Sequence, residues 1–175
     1  MGSSRFPGKP MANILGKPMI GHVYDNMKKN NLITEIAVAT CDSEIAEYID
    51  SIGGSYVMTG SYHKRATDRC AEALEILEKE DNIKYDIVIM IQGDEPMINS
   101  KMISEGLNPM IDDPSLLITN LMGKIENDME FKDPNVVKVV CDIAGNALYF
   151  SREPIPNQQN IKTENILKQY GIIIF

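Results

Sequence analysis

Apolar positions along the 175-residue chain change period repeatedly. From Met19 to Met27 (MIGHVYDNM) they recur at 19, 20, 23 and 27, the spacing of one helix face. Glu35 to Thr40 (EIAVAT) then reads as a strand. Helical spacing returns over Ser43 to Ile52 (SEIAEYIDSI), with Asp42 or Ser43 placed to cap its start and Gly53-Gly54 to end it. A short strand, SYVM, precedes a helix from Thr67 to Leu77 (TDRCAEALEIL), with Thr67 as its cap and Cys70, Ala73, Leu74 and Leu77 on one face.

The next run, Ile87 to Ile91 (IVIMI), is β-branched-rich and too short for a typical helix, so it is expected as a strand buried on both faces. Strands covered on both faces belong to parallel sheets with helices above and below. Beyond it the pattern predicts a helix from Ser100 to Met110 interrupted by Pro109, then strands over Leu116 to Leu121, Val136 to Cys141 and Ala147 to Phe150. The last two are joined by Asp142-Ile143-Ala144-Gly145-Asn146, a hairpin-length loop. Pro154 to Asn165 (PIPNQQNIKTEN) is a surface loop by composition, either over a site or an idle connection.

Repeated β-α alternation followed by a hairpin implies an α/β fold, a mostly parallel sheet with an antiparallel hairpin. The length suits one domain over residues 1–175. The chain opens on a Gly/Ser-rich turn with no strand before it and stops at the strand-like GIIIF, so a piece truncated at both ends is the expectation.

Charge narrows the partners. Seventeen Lys plus Arg against 25 Asp plus Glu give a formal net charge of -8, which argues against nonspecific nucleic-acid or anionic membrane binding. The absence of tryptophan likewise leaves few aromatic platforms for single strands. Cys41, Cys70 and Cys141 are widely spaced with no CxxC pair, which suggests neither a disulfide framework nor a zinc site and fits a reducing cytoplasm. No apolar run approaches the roughly 20 residues of a membrane-spanning helix.

Candidate chemistry gathers in three places. The opening GSSRFPGKP offers Ser3, Ser4, Arg5 and Lys9 on flexible backbone, where N–H groups and cations can hold phosphates. It is not a Walker A loop, because Pro10 follows Lys9. HKRATDR, from His63 to Arg69, puts cations around a helix start, a place that favours anions. After IVIMI come Gln92, Asp94 and Glu95, at the carboxyl end of a strand, where open α/β sheets bind ligands. Asp94 is the natural magnesium ligand there, since a cation on substrate phosphates takes one or two protein carboxylates. Read locally, each of these is equally an ordinary charged turn, and His22, inside its helix, is expected to be structural.

Taken together, SSRFPGKP, LGKPMIGHV, VAT at 38–40, HKRATDR, IQGDEPMI and PNVVKVVCDIAGNALYFSREPIP resemble the cytidylyltransferases that activate 3-deoxy-2-keto sugar acids, the 3-deoxy-manno-octulosonate (Kdo) family above all. The resemblance spans nearly the whole chain. It implies a nucleotide-diphospho-sugar-transferase-like, Rossmann-type three-layer fold and a cytoplasmic, magnesium-dependent homodimer that serves surface polysaccharide and lipopolysaccharide synthesis. The implied reaction transfers CMP from CTP to the anomeric hydroxyl of a 3-deoxy-2-keto sugar acid, releasing pyrophosphate.

By the same resemblance Lys9 and Asp94 are catalytic residues, with Asp94 on Mg²⁺. Ser3, Ser4, Arg5, Lys9, Thr67 and Arg69 would bind the nucleotide, and Gln92, Arg152 and Gln169 the sugar. Members of the family start with a strand and an arginine before this turn and continue beyond GIIIF, so this piece alone is expected to be inactive.

Two departures bear on the substrate. Lys64-Arg65-Ala66 stands where the family has Gln-Ser-Gly, and Gln169 where it commonly has a histidine. A glutamine cannot change protonation as histidine does. A cytidylyltransferase for an acylneuraminate or another nonulosonic acid, or an inactive nucleotide-binding fragment, are therefore the alternatives.

Overall fold

The computed structural model describes residues 8–157 and 165–175, which form two compact units. The first comprises the chain up to Thr119 together with Ile173–Phe175; the second is Asn120–Ile172.

In the first unit a 3-10 turn, Lys9–Met11, leads into a two-strand hairpin, β1 (Asn13–Ile14) and β2 (Lys17–Pro18). The loop residues Leu15 and Gly16 both have positive φ, 51° and 88°, the backbone of a type I′ turn. The Asn13 carboxamide oxygen accepts the Gly16 amide at 2.8 Å. Helix α1 (Met19–Met27) follows at once and matches the predicted span. His22 is structural: its Nε2 lies 2.8 Å from the Ile14 carbonyl and ties α1 to the hairpin.

Strand β3 (Ala37–Thr40), helix α2 (Ser43–Ser51) and β4 (Ser55–Met58) make one right-sized β-α-β passage, and β3 pairs with β4 in parallel, as the crossover helix permits. Asp42 occupies the N-cap position of α2. The core is built here: Ile20 and Tyr24 of α1 pack with Ile45 and Ile49 of α2, and Ile36, Val38 and Tyr48 close around them.

Helix α3 (Ala66–Asp81) begins a residue earlier than predicted and runs four residues longer. Arg65, with extended backbone, holds the N-cap position, so Thr67 lies inside the first turn and does not cap. Of the predicted apolar face only Ala73 is buried.

Strand β5 (Ile89–Ile91) is shorter than IVIMI, and of its residues only Met90 is buried. Expected to be buried on both faces, it is only half-buried at Ile89 and Ile91, and it is the edge strand of its sheet among the described residues. Val88 and Phe175 exchange both backbone hydrogen bonds at 2.9 Å, the signature of an antiparallel pair, so β5 lies against the chain's last residues. Helix α4 (Ser100–Asp112) passes through Pro109 instead of stopping there. The proline falls in the last turn, where its missing N–H forfeits a single helical bond, and buried Ile103, Leu107 and Met110 hold the face down.

The second unit contains the rest of β6 (Thr119–Lys124), α5 (Asp128–Lys132), β7 (Lys138–Cys141), β8 (Ala147–Ser151) and β9 (Leu167–Ile174) up to Ile172. Strand β6 starts three residues later than predicted, because Leu117 and Ile118 are exposed and not strand core. Helix α5, absent from the predicted pattern, is capped by Asn127, whose side chain accepts the Glu130 amide at 2.9 Å. The expected hairpin is β7–β8, antiparallel. Asp142 shapes its loop by accepting from the Ala144 and Asn146 amides and from the Asn146 side chain. Strand β9 pairs antiparallel with β7 and also with β6. A small core of Ile125, Phe131 and Ile166, with Val136 against it, closes this unit.

The result is a mixed α/β fold, with parallel pairing at β3–β4 and antiparallel pairing at the hairpins. Ile49 has no solvent exposure at the centre of the first core. Ile49→Ala is expected to lower unfolding free energy by about 2–5 kcal/mol, whereas Leu148→Ala on exposed β8 changes it by less than about 0.5 kcal/mol; urea denaturation of both variants checks the contrast.

Candidate active site

The loop after β5 is braced before any ligand is considered. The Glu95 amide donates to the Gln92 carbonyl at 3.2 Å and the Ile98 amide to the Glu95 carbonyl at 3.1 Å, two successive turns. Helix α1 lies directly beneath. A Cβ at Gly93 would come within 2.9 Å of the Ile20 side-chain tip, so the loop lies close on the helix. The Asn26 side chain donates to the Pro96 carbonyl at 3.2 Å. Gln92 is exposed on this loop, while Asp94 and Glu95 are half-buried.

Asp94 meets Lys9. The ammonium donates to Oδ2 at 2.7 Å, with each side chain about one-third exposed (36% and 35%). The chain reaches Lys9 through Gly8, whose φ of 71° turns it into the 3-10 segment. Ser3, Ser4 and Arg5 lie outside the described residues, as does 158–164 of the expected surface loop.

The HKRATDR segment is organised by a residue that the sequence pattern did not single out. Glu72, on the second turn of α3, accepts from the Gly60 amide at 2.9 Å, from the Tyr62 hydroxyl at 3.4 Å and pairs with His63 Nε2. His63 is thus held inward against the helix by a carboxylate. The hydrogen bond from His63, then that from the Gly60 amide, holds the Glu72 carboxyl below its ordinary range. In the sequence it is one of several acids along α3, with Asp68, Glu75 and Glu78, and nothing in its spacing sets it apart. Arg69 turns back to hydrogen-bond the Thr59 hydroxyl, and Thr59 in turn donates its amide to the Thr40 carbonyl at 2.8 Å. Arg69 therefore sits at the carboxyl ends of β3 and β4, with half-buried Thr67 one half-turn before it and Lys64 and Arg65 exposed.

Arg152 and Gln169 belong to the second unit. Arg152 is exposed just after β8, and its Nη1 donates to the Pro134 carbonyl at 2.9 Å and more loosely to that of Asn135 at 3.4 Å. Gln169 is on β9, where its amide donates to the Val137 carbonyl at 2.8 Å. Beside it Lys168 pairs with Glu130. Burial alone would raise the Glu130 carboxyl, but the Lys168 contact and the Glu126 amide more than offset that and leave it lowered.

Among the described residues no group of three or more His, Cys, Asp or Glu side chains stands ready to enclose a metal. Asp94 is a single, accessible carboxylate. That donor set fits a cation held mostly by water and by ligand phosphates, not one caged by protein.

The lysine-aspartate pair stands at the carboxyl end of a strand in a mixed α/β fold, the side on which open α/β sheets bind ligands. The family model described as Cytidylyltransferase matches residues 1–175, and the chain belongs to that family. It is 45% identical over 155 residues to the 3-deoxy-manno-octulosonate cytidylyltransferase of Geobacter metallireducens, covering 89% of this chain and 59% of that protein. With the enzyme of the same name from Syntrophus aciditrophicus it shares 47% over 154 residues, 88% of this chain and 61% of the relative. A solved CMP:2-keto-3-deoxy-manno-octonic acid synthetase complexed with CTP superposes with a TM-score of 0.85 at 39% identity, over 99% of this chain and 69% of that one. The chain thus spans about three-fifths of the length of these curated relatives.

The Glu72 contacts have a pH consequence. A carboxyl lowered on folding means that the unfolded chain binds more protons, so its contribution to stability is complete above the unfolded carboxylate's pKa and disappears as pH falls through the folded value. Glu72→Gln is expected to flatten the loss of stability between pH 5 and pH 3, on the order of that acid window. Urea midpoints measured across it for both proteins decide the point, an unchanged slope excluding Glu72.

Proposed function

We propose that this chain belongs to an enzyme in which the anomeric hydroxyl of Kdo attacks the α-phosphorus of CTP, giving CMP-Kdo and pyrophosphate. The Lys9–Asp94 pair, 2.7 Å apart, is the observation that carries the reading. A partly exposed ion pair contributes only about 0–1 kcal/mol, so a polyphosphate that offers Lys9 a second set of anionic oxygens opens it at little cost. Lys9 then neutralises charge on the phosphates, and Arg5, Ser3 and Ser4 line the same turn. Thr67 and Arg69 would contact the nucleotide from α3. Asp94 would hold Mg²⁺, which when bound supplies further charge neutralisation on the phosphate oxygens.

In-line attack requires the sugar hydroxyl and α-phosphorus to be held in register, so binding residues contribute mainly by positioning. Gln92, Arg152 and Gln169 are the proposed sugar contacts, with the Arg152 fork suited to the sugar's carboxylate. The likeness to proteins named for Kdo at 45–47% identity supports this sugar acid. Gln169 favours a second reading, a cytidylyltransferase for an acylneuraminate or other nonulosonic acid, because a different side chain stands at a sugar-contact position. We further place the reaction in the cytoplasm, in a homodimer, early in surface polysaccharide or lipopolysaccharide synthesis. No helix among the described residues is long and apolar enough to cross a membrane.

In the complete gene product, pyrophosphate release from CTP and Mg²⁺ is expected with Kdo and not with other 2-keto sugar acids. Release with a nonulosonic acid alone would select the second reading, and none with any sugar acid would refute both. Asp94→Asn is expected to lower turnover by about 10²–10³-fold with the fold intact by circular dichroism.

A further inference from the structure

Lys138 is a lysine with no solvent exposure at all, in the middle of the apolar run VVKVV and the first residue of β7. Its ammonium donates to three backbone carbonyls: Arg152 at 2.7 Å, and Asp133 and Val136 at 2.9 Å. Three donors meet three acceptors, an arrangement that only the protonated amine satisfies completely. Burial pushes the ammonium below the ordinary lysine range, opposed by the nearby Asp133 and Glu153 carboxylates and reinforced by the Arg152 cation. A buried cation costs desolvation unless fully hydrogen-bonded, so these acceptors are what make it tolerable.

The acceptors are the two sides of one clamp. Asp133 and Val136 bracket the turn whose middle carbonyls, Pro134 and Asn135, receive the Arg152 guanidinium. Lys138 thus grips the backbone of Arg152 and the turn on which the Arg152 side chain rests. The turn is also closed on itself, by the Val136 amide on the Asp133 carbonyl at 3.1 Å and the Asn135 amide on the Asp133 side chain at 2.8 Å. The Lys138 amine ties that closed turn to the Arg152 backbone. The β7–β8 pairing alone would not supply this, because its register ends with Lys138 opposite Ser151, one residue before the arginine.

The geometry points to Lys138 as a positioning residue, which fixes the Arg152 guanidinium in advance for the carboxylate of the sugar acid. This rests on Arg152 as a sugar contact. Lys138 touches no substrate itself. Its contribution is to remove the disorder that an exposed arginine would otherwise lose on binding.

The test is bisubstrate kinetics on the complete gene product with Lys138→Met, Lys138→Gln, Arg152→Ala and the Lys138→Met/Arg152→Ala pair. Each Lys138 variant is expected to raise KM for the sugar acid about 10–100-fold, with KM for CTP within about 2-fold of wild type. Lys138→Met should add nothing in the Arg152→Ala background. If Arg152→Ala raises the sugar KM but the Lys138 variants do not, the inference falls while Arg152 keeps its role. If the Lys138 variants weaken both substrates alike, in step with lost thermal stability, Lys138 is structural only and the inference falls. An unchanged sugar KM in Arg152→Ala removes the underlying reading, and the inference with it.

A measurement on the wild-type protein needs no Lys138 variant to fold. The Arg152 Nε–H should be ordered before sugar binds, with an NMR order parameter near about 0.8; a value below about 0.6 contradicts a guanidinium held in advance.

Discussion

An ion pair between residues 85 positions apart, Lys9 to Asp94, is the contact on which the account of the first unit turns. Neither partner is placed by its own loop alone. Gly8 aims the lysine out of a 3-10 turn, and α1 supports the aspartate's loop through Ile20 under Gly93 and Asn26 on Pro96. Helix α1 is held in turn by the Ile20, Tyr24, Ile45 and Ile49 core. Packing in the interior is thereby converted into the position of two exposed charges. Those charges attract each other too weakly to resist a polyanion.

The second unit solves a similar problem with a buried charge. Lys138 has no exposure, and its acceptors are carbonyls that cannot be lost by substitution of a side chain. A partly exposed pair suits a contact that must open for its ligand. A buried, fully bonded cation suits one that must stay closed. The chemistry that distinguishes them is hydration: water competes for Lys9 and not for Lys138.

Local pattern made much of this fold legible. Period and terminal signals placed α1 and α2 almost to the residue, because both have a continuous apolar face and α2 ends at a glycine. Where the pattern misled, exposure was the reason. Leu116, Leu117 and Ile118 look like strand core but face solvent, so β6 begins later. The hairpin over β1 and β2 escaped notice because Leu15 occupies a left-handed turn position that leucine does not advertise. Helix α5 is a single short turn or so, too brief for periodicity, although Asn127 and Glu130 stood at capping spacing. For the site, spacing alone could not join Lys9 to Asp94 or Lys138 to Arg152. Family likeness named Lys9, Asp94 and Arg152, but only the folded geometry joined them to their partners.

The most direct test of the Lys9–Asp94 account is calorimetric titration of CTP into wild type, Lys9→Met and Asp94→Asn, with and without Mg²⁺. Lys9→Met should weaken binding in both conditions, because its cation meets the phosphates either way. Asp94→Asn should weaken binding only when Mg²⁺ is present, since without metal it merely frees Lys9. Equal weakening by Asp94→Asn with and without Mg²⁺ would contradict the account.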